Sequence, residues 1–92
     1  MSVSLSLNNK VALISGGSRG IGAATVRMFV AAGARVVFSF QKAQEPALQL
    51  VKELGKANCA AFAADLSQPE NASKLVAAVV ETFGRLDIVV AN

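Results

Sequence analysis

The sequence lacks histidine and tyrosine, so neither an imidazole nor a phenol is available for acid–base chemistry or for binding a metal ion. It contains one cysteine, Cys59, which cannot form an internal disulfide and is typical of a reducing, cytoplasmic setting. Only 16 % of the residues are charged, and the lysines and arginines form no run interleaved with aromatic residues. These absences argue against a metal site and against a nucleic-acid partner.

Long hydrophobic runs are missing as well. Arg27 and Arg35 interrupt the longest apolar candidate, so no stretch reaches the roughly 18 residues that predict a membrane span, and we expect no membrane partner. Residues 1–9 are polar and lack the charged and apolar regions of a secretory signal, so we expect a flexible leader there. With 92 residues in total and 53 % hydrophobic content, the remainder, 10–92, is expected to form one small folded domain.

The chain is organised around a glycine-rich stretch, Lys10–Gly22. An apolar run, Val11–Ile14, predicts a buried strand, a helical pattern follows over 19–32, and the glycines fall at the turn between them. Such a turn leaves backbone N–H groups at the positive end of the helix dipole, which favours a bound phosphate. A tight turn without a ligand would explain an isolated glycine motif equally well, but the strand, helix and second strand around this one favour a phosphate site.

Strand and helix patterns alternate along the whole chain. Strands are predicted at 11–15, 34–40, 58–63 and 86–91, and helices at 19–32, from the turn around Pro46 to Leu54, and from about Pro69 to Phe83. Short loops punctuated by glycine predict a parallel sheet with right-handed crossovers. The helix positions expected to face the core are Ile21, Val26, Phe29, Val30, Leu48, Leu50, Val51, Leu54, Leu75, Val76, Val79, Val80 and Phe83.

The spacing of Gly16, Gly20 and Gly22 resembles that of the short-chain dehydrogenase/reductase family, whose usual pattern is Thr-Gly-x-x-x-Gly-Ile-Gly. Residues 15–22 read Ser-Gly-Gly-Ser-Arg-Gly-Ile-Gly, so a serine replaces the usual threonine and keeps its hydroxyl. The resemblance implies an α/β fold with a Rossmann-type parallel sheet. It further implies the element order β-α-β-α-β-α-β and the strand order 3-2-1-4, which is half of a doubly wound fold.

Two motifs farther along extend the resemblance. Asp65 and Leu66 match the family's Asp-Val/Leu pair, in which the acid accepts a hydrogen bond from the adenine amino group; a simple turn cap is the alternative for Asp65. Asn92 matches the asparagine of the family's Asn-Asn-Ala-Gly or Ala-Asn-Ala-Gly motif. The resemblance implies that a nicotinamide dinucleotide is bound by Gly16, Ser18, Arg19, Gly20, Ile21, Gly22, Ser39, Phe40, Gln41, Lys42, Asp65, Leu66 and Asn92.

The glycine turn and the end of the second strand favour NADP(H) over NAD(H). A basic residue just before the second glycine, here Arg19, resembles the family's NADP(H)-preferring pattern. An NAD-type site carries Asp or Glu about 20 residues after the glycine loop, whereas Phe40 stands at that place in this chain. Without a carboxylate there to repel a 2′-phosphate, Ser39, Gln41 and Lys42 can donate hydrogen bonds to it.

The family's catalytic serine and Tyr-x-x-x-Lys lie beyond the point at which this chain ends, and the chain has no tyrosine. We therefore expect the NADP(H)-binding portion of an oxidoreductase that exchanges hydride between nicotinamide and a carbonyl or alcohol, without turnover by this chain alone. The alternative is a non-catalytic nucleotide-binding or interaction module that self-associates through the exposed fourth strand. A methyltransferase-like domain fits less well, because it expects an acid where Phe40 stands.

Overall fold

The computed structural model describes residues 6–17, 20–42, 44–65 and 68–91, which form a sheet flanked by helices. The strands are β1 (Val11–Ile14), β2 (Arg35–Phe40), β3 (Cys59–Ala63) and β4 (Ile88–Val90). The helices are α1 (Gly20–Ala31), α2 (Gln44–Leu54) and α3 (Pro69–Phe83). Every predicted element is present, and no bound differs from the predicted one by more than two residues.

All four strands run parallel in the order β3-β2-β1-β4, which confirms the predicted topology. Every residue of β1 is buried, as is typical of a strand that is covered by other elements on both faces of a parallel sheet. Because the strands share one direction, their last residues gather at one end of the sheet, which we call the carboxyl end. Their first residues gather at the opposite end, the amino end.

Helices cover both faces of the sheet. On one face, α1 and α2 contribute to a larger cluster of buried residues, which are Ala12, Ile14, Ala23, Val26, Ala34, Val36, Phe38, Ala47, Leu50 and Cys59. On the other face, α3 contributes to a smaller cluster, which consists of Val11, Leu13, Val37, Leu75 and Val79. The strand residues alternate between the clusters because successive side chains of a strand point to opposite faces. Cys59 is therefore part of the apolar core, and its burial raises the pKa of the thiol.

Four apolar helix residues that the sequence predicts to face the core are exposed instead. They are Ile21 (80 % exposed), Leu48 (54 %), Val76 (40 %) and Val80 (45 %). In α3 the buried residues are Leu75 and Val79, which lie four apart on one stripe. A shift of one residue turns a side chain by about 100° around the helix, so Val76 and Val80 point away from the sheet. The predicted apolar faces were therefore too wide.

Part of the segment expected to form a flexible leader is hydrogen-bonded to the domain. The N–H of Leu7 donates to the carbonyl of Ala32 at 2.7 Å, and the N–H of Lys10 donates to the carbonyl of Leu7 at 3.0 Å. The side chain of Leu7 packs against the larger cluster. Residues 1–5 lie outside the described residues. None of the helices in the described ranges combines the length and the apolar character needed to cross a membrane.

Candidate functional site

Glycines shape the turn that joins β1 to α1. Gly16 and Gly20 have φ angles of 64° and 59°, a left-handed backbone that residues with a Cβ adopt only at a cost. A Cβ on Gly22 would overlap the carbonyl oxygen of Gly16, so the first turn of α1 packs directly against the loop. Apart from its chain neighbours and the backbone of α1, no described residue lies within 4 Å of a Cβ built on Gly20. Gly20 lies at the N-terminus of α1, where the helix dipole favours an anion.

The same turn is held against the end of β2 through Gly17, which sequence reasoning did not include among the site residues. A Cβ on Gly17 would lie 2.5 Å from the Cβ of Phe38, so only glycine lets the loop pass over this buried ring. The N–H of Gly17 donates to the carbonyl of Ser39 at 3.0 Å. Two adjacent glycines after a buried strand were the available signal, but the need for the second one arises from a contact across the sheet.

Ser39 supports the glycine turn rather than lining its outer surface. Its side-chain oxygen accepts a hydrogen bond from the N–H of Gly16 at 3.2 Å, and the residue is only 2 % exposed. The sequence predicts Ser39 as a donor to a 2′-phosphate, whereas the structure places its hydroxyl beneath the loop. The physical reason is that the side chain of Ser39 points inward at the crossing of the loop and β2, where the backbone N–H of Gly16 needs an acceptor.

Phe40, Gln41 and Lys42 lie side by side at the carboxyl end of β2. Phe40 is half-buried and packs against the larger core cluster, while Gln41 and Lys42 are exposed. The side-chain amide of Gln41 donates to Oδ1 of Asp65 at 3.4 Å, which joins the ends of β2 and β3. Position 40, where the family resemblance predicts an acid in an NAD-type site, is therefore occupied by an aromatic ring that packs against the core.

A cleft of about 370 Å³ opens between these strand ends and the start of α3. Gln41, Lys42 and Asp65 line it together with Asn71, a residue that sequence reasoning missed. The side-chain amide of Asn71 donates to the carbonyl of Asp65 at 3.0 Å and so fixes the turn that follows β3. An asparagine within the first turn of a helix that begins at Pro69 was the available signal, because such side chains often bond to nearby backbone.

The structure brings most of the predicted site residues to the carboxyl end of the sheet. The glycine turn with Gly16, Gly20 and Gly22 follows β1, and the Gln41–Asp65 pair follows β2 and β3. Ile21 lies in the first turn of α1 and is largely exposed. Four predicted site residues lie outside the described residues, namely Ser18, Arg19, Leu66 and Asn92. Within the described part of the chain, no group of three His, Cys, Asp or Glu residues could hold a metal ion.

A four-stranded parallel sheet with a glycine turn after its first strand and polar groups after the next two defines a Rossmann-type nucleotide-binding fold. Residues 10–92 match the family model of the short chain dehydrogenases, and the chain belongs to this family. This finding confirms the resemblance seen in the sequence motifs.

Individual relatives agree with the family assignment. Versicolorin reductase 1 of Aspergillus parasiticus is 43 % identical over 89 residues, which cover 94 % of this chain and 34 % of that protein. A dehydrogenase/reductase structure from Sinorhizobium meliloti is 37 % identical with a TM-score of 0.91, and the match covers 97 % of this chain and 36 % of that one. The chain thus spans about a third of the length of the curated relatives that it matches.

Two similar structures hold a nicotinamide cofactor. The 3-ketoacyl-(acyl-carrier-protein) reductase of Brucella melitensis is in complex with NADH; it is 36 % identical, has a TM-score of 0.82, and the match covers 91 % of this chain and 34 % of that one. A blue fluorescent protein from a metagenomic library is in complex with NADPH; it is 38 % identical, has a TM-score of 0.85, and the match covers 90 % of this chain and 35 % of that one.

Proposed function

We propose that this chain binds the adenine-nucleotide half of a nicotinamide dinucleotide and prefers NADP(H), as the cofactor-binding portion of a short-chain dehydrogenase/reductase. The observation that supports the proposal best is the glycine turn at the N-terminus of α1, in which Gly16 and Gly20 are left-handed and Gly22 has no room for a side chain. A pyrophosphate is favoured by the positive end of a helix dipole and by glycines, which let it approach the backbone closely.

The cleft at the ends of β2 and β3 fits the adenosine end of the same ligand. Asp65 supplies a carboxylate acceptor suited to an exocyclic amino group, and its position is fixed through Gln41 and Asn71. The cleft and the glycine turn lie at the same end of the sheet, so one extended dinucleotide can reach both. We propose that Asp65 and the backbone of Leu66 contact the adenine ring, and that Asn92 contributes from the end of β4.

The preference for NADP(H) rests on charge. Phe40 stands in place of the acid that would repel a 2′-phosphate, and exposed Gln41 and Lys42 lie next to it. We propose that Lys42, Gln41 and Arg19 bind the 2′-phosphate, whereas Ser39 acts through the loop it supports. Similar structures hold NADH in one case and NADPH in another, so family membership alone leaves the choice open.

Binding without turnover is the second part of the proposal. A bound nicotinamide supplies or accepts a hydride, but this chemistry also requires a proton donor or acceptor beside the substrate. The sequence has no tyrosine for the general acid or base that the family resemblance implies, and no histidine to replace it. We therefore propose that these residues bind and orient the cofactor in the cytoplasm and do not by themselves reduce a carbonyl.

Thermal unfolding with and without NADPH and NADH tests the proposal. NADPH at a hundred times its Kd should stabilise the chain by about 2.7 kcal/mol.

Arg19→Ala should weaken NADPH binding by ten-fold or more and leave NADH binding nearly unchanged, because it removes a charge-assisted bond to the 2′-phosphate alone. Arg27→Ala is the matched control, since Arg27 of α1 forms an ion pair with Glu53 of α2. Equal losses for both cofactors would refute the preference, and no shift with either would refute binding.

One observation favours a second candidate function, a module that associates with a copy of itself. Among the described residues β4 pairs only with β1, which leaves its other side as an edge. Val89 in β4 is 64 % exposed, and Val76 and Val80 of α3 are also exposed. An apolar edge strand with unpaired backbone groups is prone to pair with another strand.

A further inference from the structure

A second polar cleft lies at the amino end of the sheet, opposite the glycine turn. It has a volume of about 740 Å³, twice that of the cleft beside Asp65. Five rises of about 3.3 Å along β2, from Arg35 to Phe40, separate the two ends by roughly 17 Å. The cleft is therefore distinct from the proposed dinucleotide site. Its polar lining residues are Asn8, Asn9, Lys10, Arg35, Asn58 and Arg85.

Of the residues that the structure describes, three cations line this cleft, and no Asp or Glu does. The guanidinium of Arg85 is bound by Asp87, with hydrogen bonds of 2.7 and 2.9 Å to the two carboxylate oxygens. In the described ranges, neither Lys10 nor Arg35 has an acid within ion-pair distance. Once the charge of Asp87 is subtracted from those of Lys10, Arg35 and Arg85, the cleft retains an excess of two positive charges.

The backbone and an aromatic ring fix the position of these cations. The N–H of Arg35 donates to the carbonyl of Lys10 at 3.0 Å, so the two residues lie next to each other where β1 and β2 begin. The guanidinium carbon of Arg35 lies 5.9 Å from the centre of the Phe83 ring, a cation–π distance. An aromatic face contacts one side of a guanidinium and leaves the N–H groups at its edge available to a ligand. The side chains of Asn8, Asn9 and Asn58 also line the cleft, and the amide of Asn58 gives one of its hydrogen bonds to the carbonyl of Leu54 at 2.9 Å.

We propose that this amino-end cleft binds a phosphate group, either as inorganic phosphate or as the phosphate of a small ester. An excess of two positive charges matches a phosphate dianion, and guanidinium and amide N–H groups suit its oxygens. The inference is independent of the proposed dinucleotide site, since the two share no residue and lie at opposite ends of the strands.

The test is a titration of the full chain, labelled with nitrogen-15, with inorganic phosphate at constant ionic strength, followed by amide chemical shifts. We expect saturable shifts at the backbone amides of Asn8, Asn9, Lys10 and Arg35, whether or not the glycine turn also responds. Arg35→Gln should weaken this saturation by about ten-fold or more, and Arg27→Gln, which changes a cation paired with Glu53, should leave it unchanged. Repeating the titration with glycerol phosphate distinguishes the sources: tighter binding indicates an ester as the ligand.

Three results would overturn the proposal. The first is shifts confined to the glycine turn. The second is shifts at the amino end that chloride reproduces at matched ionic strength, which would mean an adventitious ion only. The third is saturation that Arg35→Gln leaves unaltered. If Arg35→Gln loses the dispersed spectrum of a folded chain, Lys10→Gln provides the same comparison, because Lys10 is exposed.

Discussion

The glycine turn can form only because Gly22 has no side chain, since there is no room for a Cβ beside the carbonyl of Gly16. We expect Gly22→Ala to destabilise the chain by about 1–3 kcal/mol, because the added methyl must displace the backbone carbonyl of Gly16. NADPH binding should be lost along with the turn geometry. Chemical denaturation together with NADPH fluorescence measures both effects.

Gly84→Ala is the matched control for that variant. Gly84 ends α3 with a φ of 82°, and apart from its chain neighbours no described residue lies within 4 Å of a Cβ built there. The alanine variant should lose stability, by about 1 kcal/mol, through backbone strain alone and should still bind NADPH. If Gly22→Ala binds NADPH as well as Gly84→Ala does, the tight packing of the turn is not needed for the ligand.

Ser39 offers a second test at the scale of one residue. Ser39→Ala removes the acceptor for the N–H of Gly16 and should cost about 1–3 kcal/mol, since that part-buried donor is left unpaired. Because we propose that the loop binds the pyrophosphate, which both cofactors share, NADPH and NADH should weaken by similar factors. Ser73→Ala, at an exposed position of α3, is the control. A loss specific to NADPH would instead mean that the hydroxyl meets the 2′-phosphate.

At the scale of elements, Asp87 connects β4 to β1. Its carboxylate accepts hydrogen bonds from the guanidinium of Arg85 and, at 2.9 Å, from the N–H of Val11, and these bonds lower the pKa of Asp87. A depressed folded-state pKa adds stability above the unfolded pKa of about 3.9, and this stability is lost as the pH falls through the folded value.

Asp87→Asn should therefore reduce the free energy of unfolding at neutral pH, and the gap between variant and parent should narrow below about pH 4. Urea unfolding at a series of pH values measures the gap. Glu81→Gln removes a carboxylate from an exposed position of α3 and serves as the control. A gap that stays constant down to pH 2 would mean that the charge of Asp87 contributes nothing.

How well the sequence predicted each element depended on how local its signal was. Strands β1 and β2 were predictable because each is a short apolar run. The left-handed glycine after α3 was predictable as well, because a glycine at the end of a helical pattern is a local signal. The exposed side of α3 was not, since Val76 and Val80 differ from the buried Leu75 and Val79 only in helix phase. Gly17 was missed because it is needed for a contact with Phe38 in another strand, whereas Asn71 had a local signal, its place in the first turn of α3 close to the carbonyl of Asp65.

At the scale of the whole molecule, the side of β4 that pairs with no described strand offers a surface for association between copies. If copies associate through this strand, the mass measured by sedimentation equilibrium should rise with protein concentration. Val89→Lys should restore the monomer, because a charged side chain on an edge strand opposes pairing. Met28→Lys, which changes an equally exposed apolar residue on α1, is the control. A monomer at every concentration would exclude the self-association module.

The crossing of the glycine loop over β2 also limits how cofactor choice can change during evolution or engineering. An acid introduced at position 39 to attract NAD would replace the hydroxyl that accepts the hydrogen bond from Gly16, and would add a charge to a side chain that is only 2 % exposed. Position 40 has no such tie to the loop among the contacts described, and its ring is only half-buried. A switch of cofactor in this scaffold is therefore more accessible through Phe40 than through its neighbour, one residue away on the opposite face of the strand.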